Sequence, residues 1–298
     1  MHSNPSRPGR LAAIQMASGG RVAANVAEIR KLVARAAAGG ADLVLLPENA
    51  FLMGRSEADK LAIREPDSGG PIQACLAELA ASHGLWLVAG SIPMVGDDPG
   101  RARQSCLVFD DRGQRVARYD KVHLFDVQVS VDEAYRESAT LEPGDRAVVV
   151  ETPFGRLGLS ICYDLRFPEF YRAMVERGAE LLVVPSAFTA RTGEAHWRPL
   201  LRARAIENLC YVIAANQGGF HLNGRRTHGE SMIVDPWGRI LDVLEHGSGV
   251  VFGDFDPDSL RDIRRRFPAL AHRRSVPVDE VMTAPASVAV PLSTDNQS

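Results

Sequence analysis

Three reactive side chains stand at the ends of strand-like segments. Glu48 closes "ADLVLLPE", Lys121 closes "RVARYDK" just before "VHLF", and Cys162 follows "LGLSI". A carboxylate placed directly after an apolar run is costly to bury unless it is paired or used. A cysteine at the carboxyl end of a strand, with a helix starting at about Pro168, sits where α/β proteins carry reactive groups. Backbone N–H groups just past such a turn can face a developing oxyanion. A base, a cation and a thiol together suit nucleophilic attack on a carbonyl carbon. The thiol needs help, because with a pKa near 8.5 only a few per cent is thiolate at neutral pH. The expectation is a nucleophile whose pKa a neighbour lowers. Eight histidines, among them His123, His196, His221 and His228, leave a Cys–His pair open at this point. Taken singly, Glu48 and Lys121 also read as surface charges, and Cys75, Cys106 and Cys210 read as packing residues.

The segments that must position these residues alternate between strand and helix. Strands are expected at 11–16, 41–48 and 85–91, and helices at 25–40 and 71–84, where Gly39-Gly40 and Gly84 supply stops. Residues 105–125 read as a hairpin turning at Asp111-Arg112-Gly113. The second half repeats the logic, with strands from Arg156, Glu180 and Tyr211, helices from Pro168 and His196, and a hairpin folded at Pro236-Trp237-Gly238. The pattern predicts an α/β fold in layers with mixed sheets. One domain is expected over residues 10–275, followed by a C-terminal tail over 276–298, either loose or reaching over a partner subunit.

Composition narrows the functional classes. The chain has 298 residues, 45% hydrophobic and 24% charged, with a formal net charge of −3. That balance gives no basic field for nucleic acid. The cluster Arg261, Arg264, Arg265 and Arg266 reads as a solvated helix face. The cysteines are scattered without a CxxC pair, and no apolar run approaches the roughly 20 residues of a membrane span, so a reducing, cytoplasmic setting is expected without membrane contact. The polar start "MHSNPSRPGR" does not read as a secretory signal. "GLSIC" has cysteine where a serine-hydrolase GxSxG needs glycine, and neither phosphate-binding glycine motif occurs.

The motifs "LLPENAF", "YDKVHLFD" and "GLSICYDLRFPE", in that order and spacing, resemble the Glu–Lys–Cys signature of the nitrilase superfamily of carbon–nitrogen hydrolases. "ESATLEPGD", "VPSAF", "TGEAHWRPLLRARAIEN" and "DPWGRIL" extend the resemblance over about Leu11 to Arg274. The branch looks like the Nit-type amidases, and "RTGEAHW" with "LLRARAIENLCYVIAA" fits best those acting on deaminated glutathione. The resemblance implies a four-layer α-β-β-α sandwich with two mixed sheets, pairing through helices into a homodimer or higher oligomer. It implies neither metal nor organic cofactor.

It also implies roles. Cys162 is the nucleophile and Glu48 the proton carrier. Lys121 and the Tyr163 N–H hold the oxyanion, and Glu137 is a second glutamate that orients Lys121 or the substrate. A carboxylate in water is a weak base toward a thiol, so the reading demands a dry site. Arg166 is placed to clamp a substrate carboxylate. Phe188 and Thr192 line the pocket, or else are a core residue and a helix cap. Arg225, Arg226 and His228, in "NQGGFHLNGRRTHGES", either rim the pocket toward a peptide carboxylate or are solvated. The rival substrates are 2-oxoglutaramate and 2-oxosuccinamate, cleaved with release of ammonia by an omega-amidase. Other aliphatic amides or carbamoyl amides come next, then a non-catalytic binding role on the same fold.

Overall fold

The computed structural model describes residues 6–274 and residue 276. The expected tail over 276–298 lies, apart from Val276, outside the described residues. The first half runs β1 (Gly9–Gln15), α1 (Val22–Ala38), β2 (Leu43–Leu45), α2 (Pro71–His83), β3 (Trp86–Val88), β4 (Ile92–Val95), β5 (Ala102–Phe109), β6 (Arg115–Asp120), β7 (Asp126–Ser130), β8 (Glu133–Arg136) and β9 (Leu141–Glu142). The second runs β10 (Val148–Thr152), β11 (Gly155–Leu159), α3 (Pro168–Glu176), β12 (Leu181–Ser186), α4 (Ala190–Asn208), β13 (Tyr211–Asn216), β14 (Gly218–Phe220), β15 (Arg226–His228), β16 (Ser231–Val234), β17 (Ile240–Leu244), β18 (Gly249–Phe255) and α5 (Pro257–Arg266).

Among the described residues these strands form one eight-stranded sheet around β18-β1-β2-β3-β5-β4, one six-stranded sheet β10-β11-β12-β13-β16-β17, and two small hairpins, β7-β8 and β14-β15. Each large sheet has a parallel core, β1-β2-β3 in one and β11-β12-β13 in the other, flanked by antiparallel strands. The parallel cores follow from the helices α1 to α4, which carry the chain back between neighbouring strands.

Side-chain alternation then sorts the layers. In β1, Leu11 and Ala13 pack between the sheets, whereas Ala12 and Ile14 face α1. In β2, Leu43 and Leu45 point inward and Val44 outward. Strands buried on both faces read as unbroken apolar runs, and this one did. The layers are α1 and α2, sheet, sheet, α3 and α4. This is the expected α-β-β-α sandwich.

Some details differ from the sequence reading. The strand expected at 41–48 pairs only over Leu43–Leu45, and the strand toward Cys162 ends at Leu159. In both places the last residues leave the ladder for side-chain-directed turns. Helix α4 starts at Ala190, six residues before His196, because Thr189 caps it by accepting from the Thr192 N–H. The basic cluster is solvated at Arg261, Arg265 and Arg266, which pair with Asp258 or Asp262 on their own helix. Arg264 instead reaches inward to the carbonyls of Leu209 and Ala179.

Gly90 links this frame to the chemistry. Its φ is +69°, and a Cβ there would stand 2.1 Å from the Pro47 carbonyl oxygen, the residue before Glu48. The approach is backbone to backbone and cannot be relieved by a rotamer change. We expect Gly90→Ala to lower the unfolding free energy by about 2 kcal/mol or more and to lower activity with it. Urea denaturation checks the first effect, and a loss below about 0.5 kcal/mol would show that the contact is softer than described.

Candidate active site

The carboxyl ends of β2, β6, β11 and β12 meet at one point between the sheets. There Lys121 Nζ lies 3.0 Å from Glu48 Oε1, 3.0 Å from Glu137 Oε1 and 2.8 Å from Glu137 Oε2. The lysine side chain is fully buried, and both glutamates are buried with it. Residues 73 and 16 positions apart are thus held by one ammonium. Each carboxylate also has one backbone donor. Glu48 Oε2 accepts from the Ala187 N–H at 2.9 Å, and Glu137 Oε2 accepts from the Phe125 N–H at 2.8 Å.

The electrostatics follow from that count. Burial alone would push the Lys121 ammonium down, but Glu137 and Glu48 outweigh it and hold its pKa well above the ordinary lysine value. Burial likewise penalises the Glu137 anion. Lys121 and Lys60, with the bonds from Lys121 and Phe125, reverse the effect and hold Glu137 well below the usual carboxylate range.

Cys162 sits on the turn after β11 with φ +49°, a left-handed conformation that non-glycine residues rarely take. Asp164 makes the turn. Its buried carboxylate accepts from the Ile161 N–H at 2.8 Å, Tyr119 Oη at 2.6 Å, and the His123 N–H and Nδ1 at 3.2 and 2.7 Å. The Tyr163 N–H, one residue past the thiol, has no protein acceptor among the described residues. The thiol lies within electrostatic reach of Glu48, Lys121 and Glu137 and faces the Ala187 N–H.

The sequence reading expected a neighbour to lower this thiol. The structure corrects that: burial first, then Glu48, push its pKa above the ordinary value, and Lys121 and the Ala187 N–H only oppose them. The Lys121 ammonium is already shared by two carboxylates, and a thiolate would set a further negative charge beside Glu48 in a buried site. The arrangement suits proton transfer from sulfur to Glu48 on attack rather than a standing thiolate. The open Cys–His alternative finds no geometry among the described residues. His123 bonds Asp164, His196 meets Arg166, His221 bridges Ser18 and Thr227, and His228 meets Glu230.

Beside the Cys162 turn opens a cleft of about 480 Å³ lined by Phe125, Val127, Tyr163, Arg166, Thr192 and His196. Arg166 stands over the Phe188 ring at 5.2 Å and 3.1 Å from His196 Nδ1. Phe188 itself is a core residue, buried against Trp197 and under Arg166, and does not line this cleft. Thr192 borders the cleft while its hydroxyl meets the cap residue Thr189 at 2.8 Å. Among the described residues no three His, Cys, Asp or Glu side chains group as metal ligands, and no helix is long and apolar enough to cross a membrane.

A profile described as "Carbon-nitrogen hydrolase" matches residues 10–265. The chain belongs to the carbon–nitrogen hydrolase family. Over 268 residues this hydrolase is 42% identical to a deaminated glutathione amidase of Yersinia enterocolitica, covering 89% of this chain and 93% of that one. Among solved structures, the C. elegans NitFhit protein superimposes with a TM-score of 0.83 at 36% identity, over 91% of this chain and 66% of that one. Saccharomyces cerevisiae Nit3, a member of branch 10 of the nitrilase superfamily, does so with a TM-score of 0.80 at 28% identity, over 90% and 97%.

Several supports of this hydrolase site had no sequence signal. Asp164 looked like any charge after a cysteine. Gln217, whose Nε2 holds the Glu48 carbonyl at 2.9 Å, lies just past the end of β13 in the other sheet. The Ala187 N–H is a backbone donor, and no side chain marks it.

The buried ion trio makes a signed prediction. A carboxyl held below its ordinary range stabilises the fold above the unfolded value, near 4.3, and loses that contribution as pH falls through its folded value. We expect Glu137→Gln to be less stable than wild type at pH 7 by about 2 kcal/mol or more. The gap should narrow from about pH 5 downward, as only wild type sheds the carboxylate term. Denaturation at stepped pH measures it, and a gap constant from pH 7 to pH 3 would contradict the assignment.

Proposed function

We propose that this protein is a cofactor-free amidase that works through a Cys162 thioester and hydrolyses deaminated glutathione. The observation that carries the reading is the buried Glu48–Lys121–Glu137 ion trio beside Cys162, in a chain of the carbon–nitrogen hydrolase family. The substrate class is supported by relatives of that printed name in both bacteria and animals, at 40–42% identity in Yersinia enterocolitica, Homo sapiens and Bos taurus.

The scissile bond joins a 2-oxoglutaryl group to the nitrogen of cysteinylglycine. Cys162 Sγ attacks the amide carbon while Glu48 takes the thiol proton. The carbonyl electrons move to oxygen, where the Lys121 ammonium and the unpartnered Tyr163 N–H receive them. Collapse breaks the C–N bond, and Glu48 delivers its proton to the leaving nitrogen. Water then attacks the thioester carbon, giving its proton to Glu48, and the re-formed tetrahedral centre releases 2-oxoglutarate as sulfur regains its proton. Glu137 does not share the moving proton. It holds Lys121 charged and in place throughout. Arg166, stacked on the buried Phe188 ring and bordering the cleft with Thr192, clamps the 2-oxo acid carboxylate.

One hydrolase domain over 10–275 serves this chemistry. We place the enzyme in the cytoplasm, where its four buried, unpaired cysteines suit a reducing setting. A homodimer or higher oligomer is favoured by the half-exposed Ile206, Trp237 and Phe267 near α4.

Cys162→Ala should release no 2-oxoglutarate while keeping the wild-type melting profile, and wild type quenched in acid should carry a 2-oxoglutaryl adduct on Cys162 by mass spectrometry. Turnover by the variant would end the mechanism. Arg166→Ala should raise KM for 2-oxo acid amides roughly 10- to 100-fold and alter neutral amides far less. Equal effects on both would remove the clamp.

A further inference from the structure

Two clefts flank the β7–β8 hairpin. Strand β7 walls the one that holds Arg166, β8 walls the other, and Arg191 borders both. The second cleft, of about 700 Å³, contains Arg225 and Tyr135 and has no part in the mechanism above.

Arg225 is unlike the other arginines there. Its guanidinium stacks over the Tyr135 ring at 4.8 Å, and its Nη2 donates to the Ala187 carbonyl. That same residue's N–H holds Glu48. Yet Arg225 Nε is buried with no hydrogen-bond partner among the described residues. Arg225 lies within electrostatic reach of Glu48 and Cys162 but bonds to neither. Its perch is stiff, since His221 pins the loop by meeting the Ser18 carbonyl at 2.9 Å and Thr227 Oγ1 at 2.7 Å. Burial lowers the pKa of His221, so it stays neutral there. A buried guanidinium donor without an acceptor is costly unless a ligand supplies one.

An amide with an acidic group on each side of the scissile bond needs two anchors. Arg166 serves the acyl side. We propose that Arg225 receives the carboxylate of the leaving part and so sets the specificity for peptide-bearing over ammonia-releasing amides. This rests on the amidase reading and deepens it. Guanidinium and carboxylate pair through two parallel bonds, and Nε is half of such a fork.

The test uses two 2-oxoglutaryl amides of cysteinylglycine, one with a free glycine carboxylate and one with that carboxylate amidated, together with 2-oxoglutaramate. Wild type should favour the free carboxylate roughly 10- to 100-fold in kcat/KM, and Arg225→Met should erase that ratio. Because each protein serves as its own control, a folding defect in the variant lowers both rates and leaves the ratio intact. A wild type indifferent to amidation, or a variant that keeps the wild-type ratio, overturns the role of Arg225 alone. A wild type that cleaves 2-oxoglutaramate but neither dipeptide amide overturns the substrate reading and, with it, this assignment.

Discussion

A lysine ammonium with no access to water, gripped by two carboxylates, is the constraint on which the rest of this structure depends. None of the three charges could be buried alone without a penalty of several kcal/mol. Together they are tolerable because every carboxylate oxygen has a donor, the ammonium itself or the Ala187 and Phe125 N–H groups. The trio therefore ties the eight-stranded sheet to the segment that carries Glu137 and, through the Ala187 N–H on Glu48, to the six-stranded sheet. It also fixes where a carbonyl oxygen must lie to meet positive charge.

The site is set out with little slack. Gly90 lets the backbone before Glu48 pass where no side chain fits, and Gln217 reaches across from the second sheet to the Glu48 carbonyl. On the other side Asp164 gathers four donors and bends the chain so that Cys162 takes a left-handed conformation. Strain at Cys162 is thus offset by a saturated buried carboxylate two residues away.

Much of this was legible in the sequence, for a physical reason. Strands buried on both faces leave continuous apolar runs, so the residues that end them, Glu48 and Cys162 above all, stand out as changes of polarity. The hairpin at 126–136 left no such trace. Its strands are short and partly exposed, and beyond the alternation of Val127 and Val129 with polar neighbours it depends on contacts such as Phe125 with Tyr135. Asp164 was equally opaque, because its partners lie 45 and 41 positions away. The thiol's acidity was misjudged for a different reason. A cation nearby suggests a lowered pKa, but the sequence does not show that two carboxylates and full burial act on the same sulfur.

That last feature reaches beyond hydrolysis. Peroxides and other oxidants attack the sulfur anion far faster than its protonated form, and they must first reach it. Burial and the neighbouring Glu48 both disfavour that anion at Cys162, so the features that withhold a standing thiolate also withhold the form that oxidants attack.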